Sequence, residues 1–152
     1  MKHKFLLLIF ALLVTPVFAA KMTMPSDAPK SFETECGSCH MAYPPGLLGQ
    51  KNWQSIMSGL NKHFGTDASI DAKTHTEISQ WLVRNAATRQ KYSALAPDNQ
   101  ITKSAWFIRE HDEIKDDIWK RVGVKSPGNC QACHSDAATG GFSENNIRIP
   151  AK

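Results

Sequence analysis

Two short segments of the sequence, CGSCH at residues 36–40 and CQACH at residues 130–134, contain residue types that can do chemistry. Each has two thiols three positions apart, followed directly by an imidazole, and together they use all four cysteines of the chain. Two thiols at this spacing add across the two vinyl groups of one porphyrin, and the next imidazole becomes the proximal ligand of the iron. The pattern therefore predicts two covalently bound haem c groups. Their attachment residues are Cys36, Cys39 and His40 for the first haem, and Cys130, Cys133 and His134 for the second.

Other uses of the four cysteines explain the pattern less well. A disulfide within either pair closes a loop of so few residues that it stabilises the fold little. A thioredoxin-like redox site requires a βαβ setting, whereas this sequence has no alternating apolar strands. Two C-x-x-C pairs also occur in structural zinc sites, but a zinc site does not explain why histidine follows the second cysteine both times. A zinc-binding or disulfide-exchange module is therefore kept as an alternative to haem.

The remaining histidines and methionines are the candidates for the distal ligand of the second haem iron. An iron with only its proximal histidine is open to small ligands, whereas a second strong ligand closes it and makes it an electron carrier. No methionine follows Met57, and between residues 90 and 152 the only histidine besides His134 is His111. His111 shares a helical stripe with three apolar residues, Phe107, Ile114 and Ile118. His111 is therefore the predicted distal ligand of the second haem.

The first haem has three candidate distal ligands, His63, His75 and Met57. His63 lies at the edge of the apolar face of one predicted helix, and His75 lies at the edge of the corresponding face of the next helix. Met57 lies within the apolar stripe itself, which favours a core position. Periodicity alone does not separate the two histidines.

The first 19 residues have the features of a cleaved secretory signal. Lys2 and Lys4 give a positive start, residues 5–14 form an apolar run, and small residues precede the expected cleavage after Ala19. The run is too short to cross a bilayer, which takes about 20 apolar residues, and no later segment resembles a membrane span. The mature protein is expected to be soluble and periplasmic, on the side of the inner membrane where c-type haems are attached.

The charge balance argues against a nucleic-acid partner. The chain carries 18 Lys and Arg against 14 Asp and Glu, and two of those lysines lie in the predicted signal. Positive and negative side chains alternate in REHDEIKDDIWKR, residues 109–121, whereas nucleic-acid binders concentrate positive charge on one face. No pair of carboxylates is placed for acid–base catalysis.

Beyond the signal and a leader at residues 20–30, the chain is predicted to be mainly α-helical with irregular loops. Helices are expected at residues 31–40, 52–63, 71–87, 104–120 and 130–138. Gly65 is the expected C-terminal stop of the second of these helices. Ser69 or Asp71 is the expected N-terminal cap of the third.

The two haem motifs divide the mature chain into two small helical halves. Residues 95–104 are the expected connector between an N-terminal haem domain, residues 20–94, and a C-terminal haem domain, residues 95–152. The first half carries its motif at its start and the second carries it near its end, so the halves are not duplicates. The last residues of the chain, from Gly140 onward, are expected to form an irregular tail on the surface.

Several blocks of the sequence, in their order, resemble the small soluble periplasmic dihaem cytochrome c family. The blocks are CGSCHMAYPPGLL, the following W…IM…L…HFG…ASID, WFIREHDEI, NCQACH and the terminal RIP. The resemblance covers nearly the whole mature chain. It implies two bis-histidine, low-spin haems in a mainly helical two-domain fold, and it favours His63 over His75 as the distal ligand of the first haem. Whether His63 and His111 each serve the haem of their own half stays open at this point.

The resemblance also implies a function and partners. The family is associated with electron donation to a high-spin monohaem cytochrome, the sphaeroides haem protein, and with membrane b-type cytochromes that reduce it. The expected function is one-electron transfer without catalysis, at potentials below those of Met/His haems. Two alternatives share part of this chemistry. They are a peroxidase-like dihaem enzyme with one open iron, and the electron-entry subunit of a periplasmic reductase.

Overall fold

The structure is a computed structural model of the 152-residue chain, and it describes residues 22–151. Short helices and turns make up this part of the chain, which contains three isolated bridges and no strand, so the predicted mainly helical class is confirmed. The α-helices are α1 (Lys30–Cys36), α2 (Gln50–Ser58), α3 (Ala72–Asn85), α4 (Gln90–Ser93), α5 (Ala105–Glu110) and α6 (Asp116–Trp119). The predicted signal, residues 1–19, lies outside the described residues. No helix within residues 22–151 is long and apolar enough to cross a membrane.

Single turns of 3₁₀ helix connect these helices and dominate the end of the chain. They lie at Pro45–Leu47, Leu60–Lys62, Pro97–Asn99, Ile101–Lys103, Cys130–Ala132, Ala137–Thr139 and Glu144–Asn146. The predicted helix over residues 130–138 is therefore wrong, because this segment contains only two such turns. Its backbone follows the turns of the second haem motif instead of a continuous helix.

The main hydrophobic core lies between α2 and α3. Most of its buried members come from α1, α2 and α3, namely Phe32, Trp53, Met57, Ile78, Trp81 and Leu82. In α3 the three core residues recur at the helical spacing predicted from the sequence, so one face of the helix is buried. The indole N–H of Trp53 donates to the carbonyl of Pro45 at 2.7 Å, and that of Trp81 donates to Asp27 at 3.2 Å. Both buried indoles therefore retain a hydrogen bond.

Caps and glycines set the ends of these two helices. Asp71 caps α3, because its carboxylate accepts from the backbone N–H groups of Lys73 and Thr74. Helix α2 ends at Ser58, earlier than predicted, because Gly59 follows and is a poor helix former. The expected stop, Gly65, instead has a φ of +95° in a tight turn after the 3₁₀ segment. Its left-handed backbone suits glycine.

The predicted helix over residues 104–120 is two separate helices, α5 and α6. Ser104 caps α5 through a hydrogen bond from the N–H of Phe107 to its hydroxyl. The backbone leaves the helix at His111, which has a φ of −127°, and Lys115 is extended before α6 begins. Two aspartates in the first turn of α6 favour a new start there, since carboxylates stabilise helix N-termini.

The connector between the two predicted halves is anchored to α2. Asn52 is fully buried and donates to the carbonyl of Ala96 at 3.1 Å, while the N–H of Ala96 donates back to Asn52 at 3.2 Å. A second apolar cluster joins side chains from both halves, namely Tyr43, Leu47, Tyr92, Ile101, Trp106, Phe107, Trp119 and Phe142. The halves therefore share packing, and their division into two haem domains stays a prediction.

The last residues of the chain cross the second haem motif. The N–H of Arg148 donates to the carbonyl of Cys133 at 2.9 Å, and Ile147 forms an isolated bridge with His134. The Arg121 guanidinium donates to the carbonyl of Pro150 at 2.6 Å. The tail is thus irregular, as predicted, but it is tied to the motif by specific hydrogen bonds.

Candidate haem-binding site

The first haem motif lies at a cavity of about 440 Å³. Helix α1 ends at Cys36, so the chain turns into the motif at the mouth of this cavity. Cys36, Cys39, His40 and His63 line it together with apolar side chains, among them Phe32, Leu48, Trp53, Ile56, Met57, Leu60 and Leu82. The volume is within the range of about 300–1,000 Å³ that cofactor pockets occupy. Thiols, imidazoles and apolar walls therefore meet in one place.

His40 and His63 face each other across this cavity. Their ring centres lie 6.2 Å apart and their planes are 28° from parallel. The Nδ1–H of His40 donates to the carbonyl of Met41 at 2.8 Å, which leaves Nε2 as the free acceptor. Burial, and next the neighbouring His40, lower the pKa of His63 below its usual value. Because a neutral imidazole is the form that binds a metal, this environment suits a ligand.

His63 is held by a tight turn that follows the 3₁₀ segment. The N–H of Thr66 donates to the carbonyl of His63 at 3.0 Å, and Phe64 has a φ of 48°. The Phe64 ring meets the His63 imidazole edge-on, with the ring centres 4.8 Å apart. Local hydrogen bonding and this ring contact thus set where the imidazole lies.

His75, the other candidate of the first half, is used differently. Its Nε2–H donates to the carbonyl of Met57 at 3.0 Å. That carbonyl belongs to the last turn of α2, where helix carbonyls lack partners within the helix. His75 does not line the cavity, whereas Met57 is 5% exposed and forms part of its wall. The structure therefore separates the two histidines that periodicity left equivalent.

The second pair of histidines is His111 and His134. Their ring centres also lie 6.2 Å apart, but their planes cross at 80°. His111 donates from Nδ1 to the carbonyl of Phe107 at 2.9 Å and stacks on the Phe107 ring at 4.0 Å. Burial, and next the nearby His111, lower the pKa of His134. The Nδ1 atom of His134 is buried without a hydrogen-bond partner in the described part of the chain, unlike that of His40.

A second cavity of about 330 Å³ lies beside His111. The other side chains that line it are mostly apolar: Thr102, Phe107, Ile108, Asp112, Ile114, Trp119 and Pro127. The backbone leaves the helical conformation at His111, where α5 ends. The imidazole of His111 lies next to the second motif, with its ring centre 6.2 Å from that of His134. The break in the predicted helix is what brings this histidine opposite His134.

The four cysteines carry free thiols. Burial raises the pKa of Cys36 to about 11, with a smaller contribution from Glu35, and burial likewise raises the pKa of Cys130 to about 11. Within residues 22–151, no three His, Cys, Asp or Glu side chains lie close enough together to hold a metal ion directly. Two thiols and an imidazole at each motif, with apolar walls and a second imidazole opposite, fit a covalently attached iron porphyrin.

Tyr43 joins the two motifs, a role that its position in the sequence did not predict. Its ring stacks on His40 with the ring centres 4.8 Å apart, and its hydroxyl donates to the carbonyl of Gly128 at 2.6 Å. Burial raises the pKa of Tyr43 to about 12, and the nearby Cys130 sulfur adds to the shift. Gly128 and Cys130 also line the first cavity. The second motif therefore begins at the wall of the first site.

Comparison with known families identifies the chain. The sequence model of one family, Dihaem cytochrome c, matches residues 32–142. The chain belongs to this family. The predicted resemblance is thereby confirmed, and so is the predicted cofactor, since the four cysteines are present for covalent attachment of two haem c groups. As a dihaem cytochrome c, the protein is an electron-transfer haem protein.

Solved structures agree with the family assignment. This dihaem cytochrome c is 38% identical to a diheme cytochrome type c from Shewanella baltica OS155, with a TM-score of 0.71, over 82% of this chain and 96% of that one. It is 37% identical to a DHC purified from Rhodobacter sphaeroides, with a TM-score of 0.67, over 78% of this chain and 99% of that one. Among curated protein sequences, none matches this dihaem cytochrome c significantly.

Proposed function

We propose that this dihaem cytochrome c is a periplasmic one-electron carrier in which each haem iron is ligated by two histidines. In the first haem, Cys36 and Cys39 form the thioether bonds and His40 and His63 are the axial ligands. In the second haem, Cys130 and Cys133 form the thioether bonds and His134 and His111 are the axial ligands. Each distal histidine then serves the haem of its own half.

The separation of the imidazole rings carries this proposal. A bond from a first-row metal to an imidazole nitrogen is about 2.0 Å, and the ring centre lies about 1.1 Å beyond, so two imidazoles on opposite sides of one metal have centres about 6.2 Å apart. His40 and His63 are 6.2 Å apart, and so are His111 and His134. Two independent pairs at the same separation support one iron within each pair.

The hydrogen bonds of the histidines support the same ligand set. His40 and His111 each donate from Nδ1 to a backbone carbonyl, which fixes the tautomer and leaves Nε2 free to bind iron. In His75 it is Nε2 that donates to a carbonyl, so the atom that would ligate iron is already engaged. These contacts favour His63 over His75 in the first haem.

If both irons have two imidazole ligands, neither has a free coordination position, and this favours electron transfer over ligand-binding chemistry. When bound, the haem supplies an iron that gains or loses one electron. An imidazole on each face leaves no position for a small ligand, and bis-histidine ligation gives a lower potential than Met/His ligation. The chain's own residues would hold the porphyrins in place and exclude water with apolar walls. Burial lowers the pKa of His63 and of His134, which favours the neutral form of these two imidazoles.

Location and partners follow from the sequence and the family resemblance. A cleaved signal over residues 1–19 would export the chain to the periplasm. The proposed electron acceptor is a high-spin monohaem cytochrome of the sphaeroides haem protein type, and the proposed donor is a membrane b-type cytochrome. An electron-entry subunit of a periplasmic reductase would have the same haem chemistry, and it would be distinguished by co-purification with that reductase.

Replacement of single histidines tests the ligand set. His63→Ala and His111→Ala should each convert one of the two haems from low spin to high spin and allow it to bind carbon monoxide. The matched control, His75→Ala, should leave both haems low-spin. The optical spectra of the oxidised and reduced proteins measure the spin states, and mass spectrometry verifies that two haems stay attached.

Two results would refute the proposal. A low-spin His63→Ala variant together with a high-spin His75→Ala variant would overturn the ligand assigned to the first haem. Stoichiometric carbon monoxide binding by one haem of the unmodified protein would instead favour a peroxidase-like dihaem enzyme with one open iron.

A further inference from the structure

Tyr43 contacts His40 of the first haem motif and Gly128, two residues before the second motif. We propose that it is a positioning residue that couples the two haem sites, holding the His40 imidazole with its ring and the turn before the second motif with its hydroxyl. The inference rests on the proposed function, because it takes His40 as an axial ligand and Cys130 as an attachment residue. It adds to that function a specific contact through which a structural change at one haem site would alter the potential of the other haem.

The first contact is between aromatic rings. The Tyr43 ring lies over the His40 imidazole, with ring centres 4.8 Å apart and planes 29° from parallel. Stacked rings at this distance attract each other beyond the effect of surface burial. Together with the hydrogen bond from His40 to Met41, the contact restricts rotation of the imidazole about its own axis. Tyr43 therefore helps to set the plane of a proximal ligand of the first haem.

The second contact is a hydrogen bond that spans 85 positions of the sequence. The Tyr43 hydroxyl donates to the carbonyl of Gly128 at 2.6 Å in a partly buried setting. The same carbonyl accepts from the N–H of Cys130 at 3.0 Å, and the Cys130 thiol lies 3.7 Å from it. The carbonyl of Gly128 is thus shared between Tyr43 and the first attachment residue of the second haem. Tyr43 fixes the turn from which that residue projects.

The absence of a side chain at position 128 leaves room for this contact. A Cβ atom at Gly128 would lie 3.3 Å from the Tyr43 hydroxyl oxygen, slightly closer than ordinary van der Waals contact. A methyl group there would press on the hydroxyl and lengthen the hydrogen bond. Substitution of either Tyr43 or Gly128 should therefore disturb the same hydrogen bond.

The surroundings of Tyr43 make the contact matter for both haems. Tyr43 packs against the main core and also against the second apolar cluster. The first cavity is lined by His40, Tyr43, Gly128 and Cys130 together. Loss of the hydroxyl would loosen the wall between the sites and admit water beside the second motif. Water stabilises the more highly charged ferric haem, so the potential of the second haem should fall.

Tyr43→Phe tests the hydroxyl while keeping the ring. It should lower the midpoint potential of the second haem and change that of the first haem less, because the stacking on His40 persists. The matched control is Tyr92→Phe, which alters the other tyrosine of the chain. Tyr92 is also half-buried, but its ring packs on Trp106 at 5.5 Å and it lines neither cavity. The control should leave both potentials unchanged.

Gly128→Ala tests the same contact from the other side. It should lower the potential of the second haem in the same direction as Tyr43→Phe. Because both substitutions act on the same hydrogen bond, which Gly128→Ala weakens and Tyr43→Phe removes, the double variant should show the shift of Tyr43→Phe and not the sum of the two. Potentiometric titration followed by electron paramagnetic resonance gives the two potentials separately, and the single-histidine variants assign each signal to its haem.

The readouts separate this inference from the proposed function. If both haems stay low-spin in Tyr43→Phe but the second potential is unchanged or higher, the coupling role is wrong while the carrier function stands. Shifts that add in the double variant would also overturn it, since they would indicate two unrelated packing effects. Failure of the histidine variants to lose their low-spin state would refute the proposed function itself.

Discussion

The imidazole planes of His111 and His134 cross at 80°, although their ring centres are as far apart, 6.2 Å, as those of His40 and His63. The planes of the first pair are 28° from parallel. The local contacts of the two pairs differ as well. His111 is stacked on Phe107 and bonded to its carbonyl, whereas His40 is stacked on Tyr43 and bonded to Met41. The two haem sites are thus equal in ligand spacing and unequal in ligand orientation.

The oxidised protein should give two different low-spin signals in electron paramagnetic resonance. An imidazole interacts with the iron d orbital perpendicular to its own plane, so near-parallel rings separate the two dπ orbitals in energy. Crossed rings act on both orbitals alike and leave them close in energy, which makes the signal more anisotropic. His63→Ala should remove the less anisotropic signal, and His111→Ala should remove the more anisotropic one. Two identical signals would contradict the ring angles.

His111→Met should raise the potential of the second haem. Met/His ligation stabilises the ferrous iron relative to bis-histidine ligation, and a shift on the order of 0.1 V is expected within the roughly 0.8 V range that haem environments span. The first haem should keep its potential. The control is His75→Met, which replaces a histidine bonded to a helix carbonyl and should move neither potential. An optical redox titration of each variant measures the effect.

Asn52→Leu should destabilise the fold. Asn52 is fully buried, and its side-chain oxygen accepts the N–H of Ala96, which itself is 2% exposed. Leucine would leave that N–H buried without a partner at a cost of about 1–3 kcal/mol, while the carbonyl of Ala96 still accepts from Asn99. Denaturant unfolding measures the loss. Asn61→Ala, at an exposed position, should change the unfolding midpoint little, and an equal effect of both would refute the role of Asn52.

Asp71→Ala should destabilise the protein at neutral pH but not in strong acid. Hydrogen bonds from Thr74, and next from Lys73, lower the pKa of Asp71 below the usual value of 3.8. A carboxyl group with a lowered pKa in the folded state contributes stability above its unfolded pKa and loses it as the pH falls through its folded value. The difference in melting temperature between wild type and Asp71→Ala should therefore vanish at low pH. Asp71→Asn, which keeps a capping oxygen, should cost less at pH 7.

The sequence predicted those features that depend on local residue types. The two C-x-x-C-H motifs indicated the cofactor, since spacing and chemistry are both contained in five residues. The buried face of α3 followed from helical periodicity, and its cap, Asp71, was one of two candidates. Such features were predictable because they involve residues within one or two helical turns.

Features that depend on long-range contacts were not predictable. The apolar stripe through His111 continues at helical spacing, yet the backbone turns there to bring the imidazole opposite His134. His63 and His75 occupy similar positions on their predicted helices, and they are distinguished by the contact of His63 with His40 in the cavity and by the hydrogen bond from His75 to Met57. The contact between Tyr43 and Gly128 joins positions 85 residues apart. No periodicity within a single element encodes such pairings.

The backbone carbonyls that hold His40 and His111 also bear on the speed of electron exchange. Both rings are fixed by groups of the chain, at 2.8 Å and 2.9 Å, and not by the iron alone. Under the proposed ligation, the imidazole ligands would then keep nearly the same positions around oxidised and reduced iron. Little nuclear rearrangement would accompany each change of charge, so the reorganisation energy of the carrier should be small.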